Sequence, residues 1–212
     1  MSKPALPVAI VALEAEAQTL RDWPQGLDVR VSGPGQDAAR RSALAAIEAA
    51  PPWIMSWGVA GSLDSNWRPG AIIRPAEVVA ESGEVYASNT RSAPALRMAS
   101  TMQPVRSRMD RLALAERTHA VAVDMESAAI AAVCRDAGIP FVCVRAIADG
   151  CDVELPEWID EAMAADGSLR PVQIARRLLT RPGTIHALIR AGLQFRRALT
   201  SLAREARNGA LP

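Results

Sequence analysis

The sequence predicts an α/β fold built around a largely parallel sheet, and three observations carry that prediction. Short apolar runs without polar alternation recur, as expected of strands buried on both faces. Glycine- or proline-bearing turns separate them from Ala-rich stretches of helical character. That strand, turn and helix alternation repeats along most of the chain, the pattern of helices laid on a parallel sheet.

Taken in order, Val8–Leu13 reads as a first buried strand, and Glu14 to Asp22 as a helix ended by Trp23-Pro24. Val29–Ser32 is a second strand, closed by Gly33-Pro34-Gly35, and Gln36 to Ala50 is a helix stopped by Pro51-Pro52. Trp53–Trp57 is a third strand running into Gly58-Val59-Ala60-Gly61-Ser62, read as a small-residue turn. Ala71–Arg74 and Glu77–Ala80 follow as strands, whereas Ser82 to Thr118, rich in Ser, Arg and Pro, reads as the least regular stretch. Order returns with a strand at Val121–Val123, a helix from Met125 to Ala137 and a strand from Phe141 to Ile147. From Pro171 onward the pattern is helical, with a break at Arg181-Pro182-Gly183.

The chain has 212 residues, half of them hydrophobic, and a formal net charge of +1, enough for one compact domain spanning 1–212. No apolar run reaches the roughly 18 to 20 residues of a membrane span. The start, Met1-Ser2-Lys3-Pro4, lacks signal-peptide architecture, so a cytoplasmic protein is expected. Cys134, Cys143 and Cys151 form an odd set without metal-ligand spacing and read as free thiols in a reducing compartment; no metal is expected.

Several acids stand at element ends, where α/β proteins present side chains to ligands. Glu14 and Glu16 follow the first strand, but a spacing of two puts them on different sides of a helix, so at most one faces a site. Acids in a first helical turn also suit the helix dipole without any ligand. Asp124-Met125-Glu126 opens the Ala-rich helix, which an N-cap would explain equally, and Asp149 ends the last apolar run before Gly150, where a turn would suffice. Ser32-Gly33-Pro34-Gly35 could bring backbone N–H groups to an anion or be a plain turn, and Gly58–Ser62 could admit a flat ligand or simply turn tightly. The two acids Glu126 and Asp149, at the ends of adjacent apolar elements, form the more specific signal.

Val121–Ala131 together with Val142–Asp149 resembles the signature of the purine nucleoside phosphorylase and methylthioadenosine/adenosylhomocysteine nucleosidase superfamily. Leu13-Glu14-Ala15-Glu16, Ser32–Gly35 and Gly58–Gly61 fall in the matching order, so the resemblance spans roughly residues 8 to 150, weakest from Ser82 to Thr118. Ala165–Pro171 and the arginine-rich tail resemble the hopanoid-associated phosphorylases within it. The resemblance implies a three-layer sandwich with a central mixed, largely parallel sheet plus C-terminal helices. It also implies cleavage of the N-glycosidic bond of a 5′-substituted adenosine, adenosylhopane in hopanoid biosynthesis, with release of adenine.

By the same resemblance, Glu126 binds the ribose 2′- and 3′-hydroxyls and Met125 packs on the sugar. Asp149 is the acid at purine N7, and Glu16 orients the nucleophile. Val59, Ala60 and Gly61 line the substrate, and Gly33 and Gly35 belong to a phosphate or nucleophile loop. The chemistry suits these types, because glycosidic cleavage builds positive charge on the sugar and negative charge on the base. A carboxylic acid holding its proton offsets the second, and an anionic glutamate on the hydroxyls offsets the first.

The sequence departs from the family at Ala148, where a serine is common, and at Val59, where a serine is again common. Trp53–Trp57 contains no basic residue, where phosphorylases often place an arginine. No cofactor is implied. Inorganic phosphate is a candidate co-substrate, its charge then matched by an arginine such as Arg68 or Arg91. A homo-oligomer is implied by resemblance.

The segment Arg170–Arg207 holds nine arginines against one acid, Glu205, leaving the remainder net acidic. Residues 171–207 therefore read as a basic helical extension. Either this is an amphipathic helix pair packed on the domain with a solvated basic face, or that face rests on an anionic membrane surface, placing the protein at the inner membrane. Scarce aromatics and near-neutral charge argue against nucleic acid. Two rival functions remain: a phosphate-independent methylthioadenosine/adenosylhomocysteine nucleosidase, and a catalytically degenerate nucleoside-binding or membrane-associated protein.

Overall fold

The structure is a computed structural model that describes residues 5–90, 95–151 and 185–209. Its strands are β1 (Val8–Val11), β2 (Asp28–Val31), β3 (Ile54–Ser62), β4 (Ile72–Ile73), β5 (Glu77–Ala80), β6 (Val85–Ala87), β7 (Arg97–Ser100), β8 (Ala122–Asp124) and β9 (Phe141–Asp149). Its helices are α1 (Glu14–Ala17), continued by a 3-10 turn at Gln18–Leu20, α2 (Gln36–Ile47), α3 (Arg108–Thr118), α4 (Ser127–Ala137) and α5 (Ile185–Asn208).

The nine strands among the described residues form one mixed sheet. β1 pairs in parallel with β2 and β3, β3 with β9, and β7 with β5 and β8. The contacts of β8 with β3, β4 with β9 and β5 with β6 are antiparallel. Because side chains alternate along a strand, the central strands feed two cores. Val8, Ile10, Ile54, Phe141 and Cys143 join α2 and α4 on one face. Ala9, Val11, Met55, Trp57, Val142 and Val144 meet Leu20, Trp23 and the Ala198, Leu202, Ala206 stripe of α5 on the other. Two helical layers thus enclose the sheet, as expected of the three-layer sandwich.

Two stretches differ from the sequence reading. Gly58–Ser62 is no turn, since β3 runs through it to Ser62, paired with β9 as far as Gly61 and with β8 at Gly61 and Ser62. Ser82 to Thr118 is more regular than expected, holding β6, β7 and α3. The start of α3 follows from Ser107, which accepts the Asp110 N–H at 3.0 Å as an N-cap. At the C-terminus the 171–207 extension is only partly described. Residues 171–184, the Arg181-Pro182-Gly183 break and Ala165–Pro171 lie outside the described residues, whereas the second half of α5 packs into the core. Among the described residues no helix is long and apolar enough to cross a membrane.

Candidate active site

β1 ends at Val11, and the chain enters α1 through Ala12 and Leu13, with Leu13 in the N-cap position. Glu16, third in the helix, reaches back in the manner of a capping box. Its Oε2 accepts the N–H groups of Ala12 and Leu13, each at 3.0 Å, and its Oε1 accepts the Val59 N–H at 2.9 Å. Glu16 is buried and Glu14 exposed, so the spacing of two does turn them apart. An N–H can only donate, so three acceptor positions are filled and one on Oε1 stays open. Burial pushes the Glu16 carboxyl up, opposed by the Arg145 charge and by the three backbone donors.

Arg145 is the one charge in the apolar run of β9, and a buried guanidinium must be partnered. Asp124, at the end of β8, accepts from Arg145 Nε at 3.0 Å and Nη2 at 2.6 Å. Ser56 and Ser127 hydroxyls accept from the same Nη2 at 2.7 and 2.8 Å. Asp124 also accepts the Ser127 N–H at 3.2 Å, so it holds the first turn of α4 while neutralising Arg145. Glu126 then precedes α4 with its carboxylate turned inward, where Oε1 accepts the Gly35 N–H at 2.8 Å. Burial and then the neighbouring Asp124 push its pKa up to about 7, against the Gly35 hydrogen bond and Arg145.

Two adjoining cavities meet at Val59 and Glu126. The smaller, about 10 Å³, is lined by Glu16, Ser32, Ser56 and Arg145 besides those two, and has room for about one water. The larger, about 210 Å³, runs from Met125 and Glu126 past Ala60 and Gly61 to Val105, Arg111 and Asp149. Its far end is an ion pair, Asp149 with Arg111 of α3. Burial raises the Asp149 carboxyl, opposed by the charge and hydrogen bond of Arg111.

The structure therefore brings Glu16, Glu126, Met125, Val59, Ala60, Gly61 and Asp149 to one continuous site. Gly35 joins through its N–H, which Glu126 occupies; Gly33 lines neither cavity, its carbonyl accepting the Ser32 hydroxyl at 2.7 Å. The two glycines of Gly58-Val59-Ala60-Gly61 make room for the protein's own side chains. A Cβ on Gly58 would lie 2.6 Å from Glu16 Oε1, and one on Gly61 3.3 Å from each Asp149 oxygen. Arg68 is exposed and lines neither cavity, and Arg91 lies outside the described residues.

Sequence reasoning missed Arg145 and Arg111. A lone charge inside Val142–Ile147 was a usable signal for the first, because a buried strand tolerates a charge only with a partner. No local pattern marks Arg111. Among the described residues no group of three or more His, Cys, Asp or Glu could hold a metal ion.

A sequence model described as the phosphorylase superfamily matches residues 95–180. The fold is shared with a 5′-methylthioadenosine/S-adenosylhomocysteine nucleosidase of Helicobacter pylori, at TM-score 0.70 and 16% identity over 98% of each chain. It is shared with futalosine hydrolase of Helicobacter pylori, at TM-score 0.70 and 17% identity over 98% of this chain and 99% of that one. The nucleosidase of Neisseria meningitidis, solved with methylthio-immucillin-A, matches at TM-score 0.70 and 19% identity over 98% of this chain and all 100% of its own.

Proposed function

We propose that the protein hydrolyses the N-glycosidic bond of a 5′-substituted purine nucleoside, adenosine-type, with water as nucleophile. The observation that carries this reading is the open acceptor position of Glu16 Oε1 on a water-sized cavity beside one of about 210 Å³. The fold is also that of proteins named nucleosidase and hydrolase.

In this reading Glu126 accepts the ribose hydroxyls, with Met125 against the sugar, and the base extends toward Asp149. Glu16 orients the water toward the anomeric carbon and takes its proton as the C–O bond forms and the C–N bond breaks. Asp149 gives a proton to N7, so the base leaves neutral. The positive charge growing on the sugar is met by the Glu126 carboxylate. Arg145 lines the water-sized cavity, and its charge lowers the proton affinity of Glu16 and Glu126.

The test measures base release from 5′-methylthioadenosine, S-adenosylhomocysteine and adenosylhopane, each with and without inorganic phosphate. Adenosylhopane is the substrate to which the resemblance of residues 165–171 points. Release without phosphate, leaving a free sugar, is expected. Strict phosphate dependence with a sugar 1-phosphate product overturns hydrolysis in favour of phosphorolysis. Saturable binding without release leaves a nucleoside-binding protein.

A further inference from the structure

We propose that Arg111 is the positioning residue of Asp149, holding Oδ2 so that Oδ1 alone meets the nucleoside base. This rests on the reading of Asp149 given above and goes beyond it, because nothing in the resemblance assigns a role to α3.

The guanidinium is fixed from three directions. Its Nε donates to the Val105 carbonyl at 3.2 Å, in the segment entering α3. Its Nη1 donates to the Ser62 carbonyl at 3.1 Å, at the end of β3, and to the Gly150 carbonyl at 3.3 Å, just after β9. The remaining Nη2 donates to Asp149 Oδ2. Only a planar fork with several fixed donors can serve three carbonyls and a carboxylate together; a lysine ammonium cannot. The Arg111 side chain is 3% exposed and that of Asp149 17%, so the arginine is the more deeply buried of the pair, and both line the cavity.

Backbone features make room for the pair. The β3–β9 register shifts between Ala60 and Gly61, which sets Gly61 opposite Asp149. A Cβ on Gly61 would stand 3.1 Å from Arg111 Nη1 and 3.3 Å from both Asp149 oxygens. Ala148 has no hydrogen-bonding side chain, and among the described residues Arg111 is the one side-chain partner of Asp149. Asp149 Oδ1 has no partner there and is the oxygen left for the base.

The guanidinium also sets the proton affinity of the acid. Burial favours the neutral carboxyl, Arg111 favours the carboxylate, and burial prevails. Glu126 and Asp124 line the opposite end of the same cavity, while the facing stretches Val59–Ser62 and Thr101–Val105 carry no titratable side chain. Removing the guanidinium therefore raises Asp149 further, and the alkaline limb of the kcat/KM profile moves to higher pH.

The test compares wild type, Arg111→Gln and Arg111→Lys. In Arg111→Gln we expect kcat to fall about 100-fold, the cost of a misplaced acid, with KM changed less than about threefold. Arg111→Lys, which keeps the charge without the fork, should hold the alkaline limb near the wild-type position while kcat stays low. Unchanged kcat in Arg111→Gln, or a loss with the alkaline limb unmoved, overturns the proposal. A second readout is independent of turnover: carboxyl-carbon NMR of Asp149, identified by its loss in Asp149→Asn. Its titration should move upward in Arg111→Gln, and an unmoved titration overturns the proposal. If wild type cleaves no nucleoside yet the titration moves, the positioning role stands and the hydrolase reading falls. If Arg111→Gln does not fold, Gly61→Ala presses on the pair from the opposite side, and unchanged kcat with an unchanged Asp149 titration there overturns the proposal.

Discussion

Gly58 and Glu16 are fitted to one another: a Cβ on Gly58 would stand 2.6 Å from Glu16 Oε1 and 2.9 Å from its carboxyl carbon. The carboxylate cannot retreat, because Ala12, Leu13 and Val59 hold both oxygens by backbone N–H donors. Gly58→Ala should therefore displace the carboxylate from the water-sized cavity. With a displacement of about 1 Å, turnover is expected to fall on the order of 100-fold. Circular dichroism should stay native, and steady-state base release measures the effect; wild-type turnover would remove Glu16 from its proposed role.

The Glu126 carboxyl, pushed up to about 7 in the free protein, gives binding a pH dependence of known sign. Ribose hydroxyls donate to a carboxylate, so the ionised form is the one expected to bind. Affinity should fall about tenfold for each pH unit below 7, read by titration calorimetry on the Asp149→Asn variant, which avoids cleavage. Stability runs the other way. A carboxyl raised above its unfolded value favours the folded state most below about 4.5, and that contribution is lost as pH rises through about 7. Glu126→Gln should flatten both dependences, and a pH-independent affinity in the parent would remove Glu126 from the ribose.

Glu126 and Asp149 stood out in the sequence because each sits at an element end, where chain order places it relative to the sheet edge, whereas the choice of Glu16 over Glu14 came from the resemblance. The arginines did not stand out, because ion pairs form across distance in the chain. Arg145 finds Asp124 21 residues away, and Arg111 finds Asp149 38 residues away. Glycine is similarly ambiguous: the absence of a Cβ at Gly58 or Gly61 is plain in the sequence, but whether a ligand or a neighbouring side chain occupies the space is not. The α/β class and the largely parallel sheet were readable, since unbroken apolar runs report burial on both faces; the three-layer arrangement came with the resemblance. The 82–118 stretch was missed because strands as short as Val85–Ala87 and Arg97–Ser100 leave little periodicity, although Ser107 three residues before Asp110 was a usable helix start.

Asp149→Asn retains shape and the contact to Arg111 but cannot hold an acidic proton. Base release is expected to fall about 100-fold or more, while nucleoside affinity stays within a few-fold. Binding is followed by calorimetry and release by the appearance of free base. Equal losses in affinity and rate would instead mark Asp149 as a binding group.

Asp124 and Arg145 give the sharpest separation of stability from chemistry. Their side chains are 1% and 3% exposed, and Asp124 is the one acid paired with Arg145 among the described residues. Asp124→Asn leaves the guanidinium buried against Ser56 and Ser127 hydroxyls without a compensating anion. Breaking one side of such a pair costs about 3–5 kcal/mol, which for a chain of this size lowers Tm by about 10 °C. Replacing both partners together, as Asp124→Leu with Arg145→Met, should recover much of that loss, because apolar side chains of similar volume need no partner. Activity should not return with stability, since Glu16 and Glu126 both lose the positive charge that lowers their proton affinity. Thermal denaturation and base release, measured on the single and double variants, decide the matter. A double variant that recovers Tm and turnover together would show Arg145 to be structural alone.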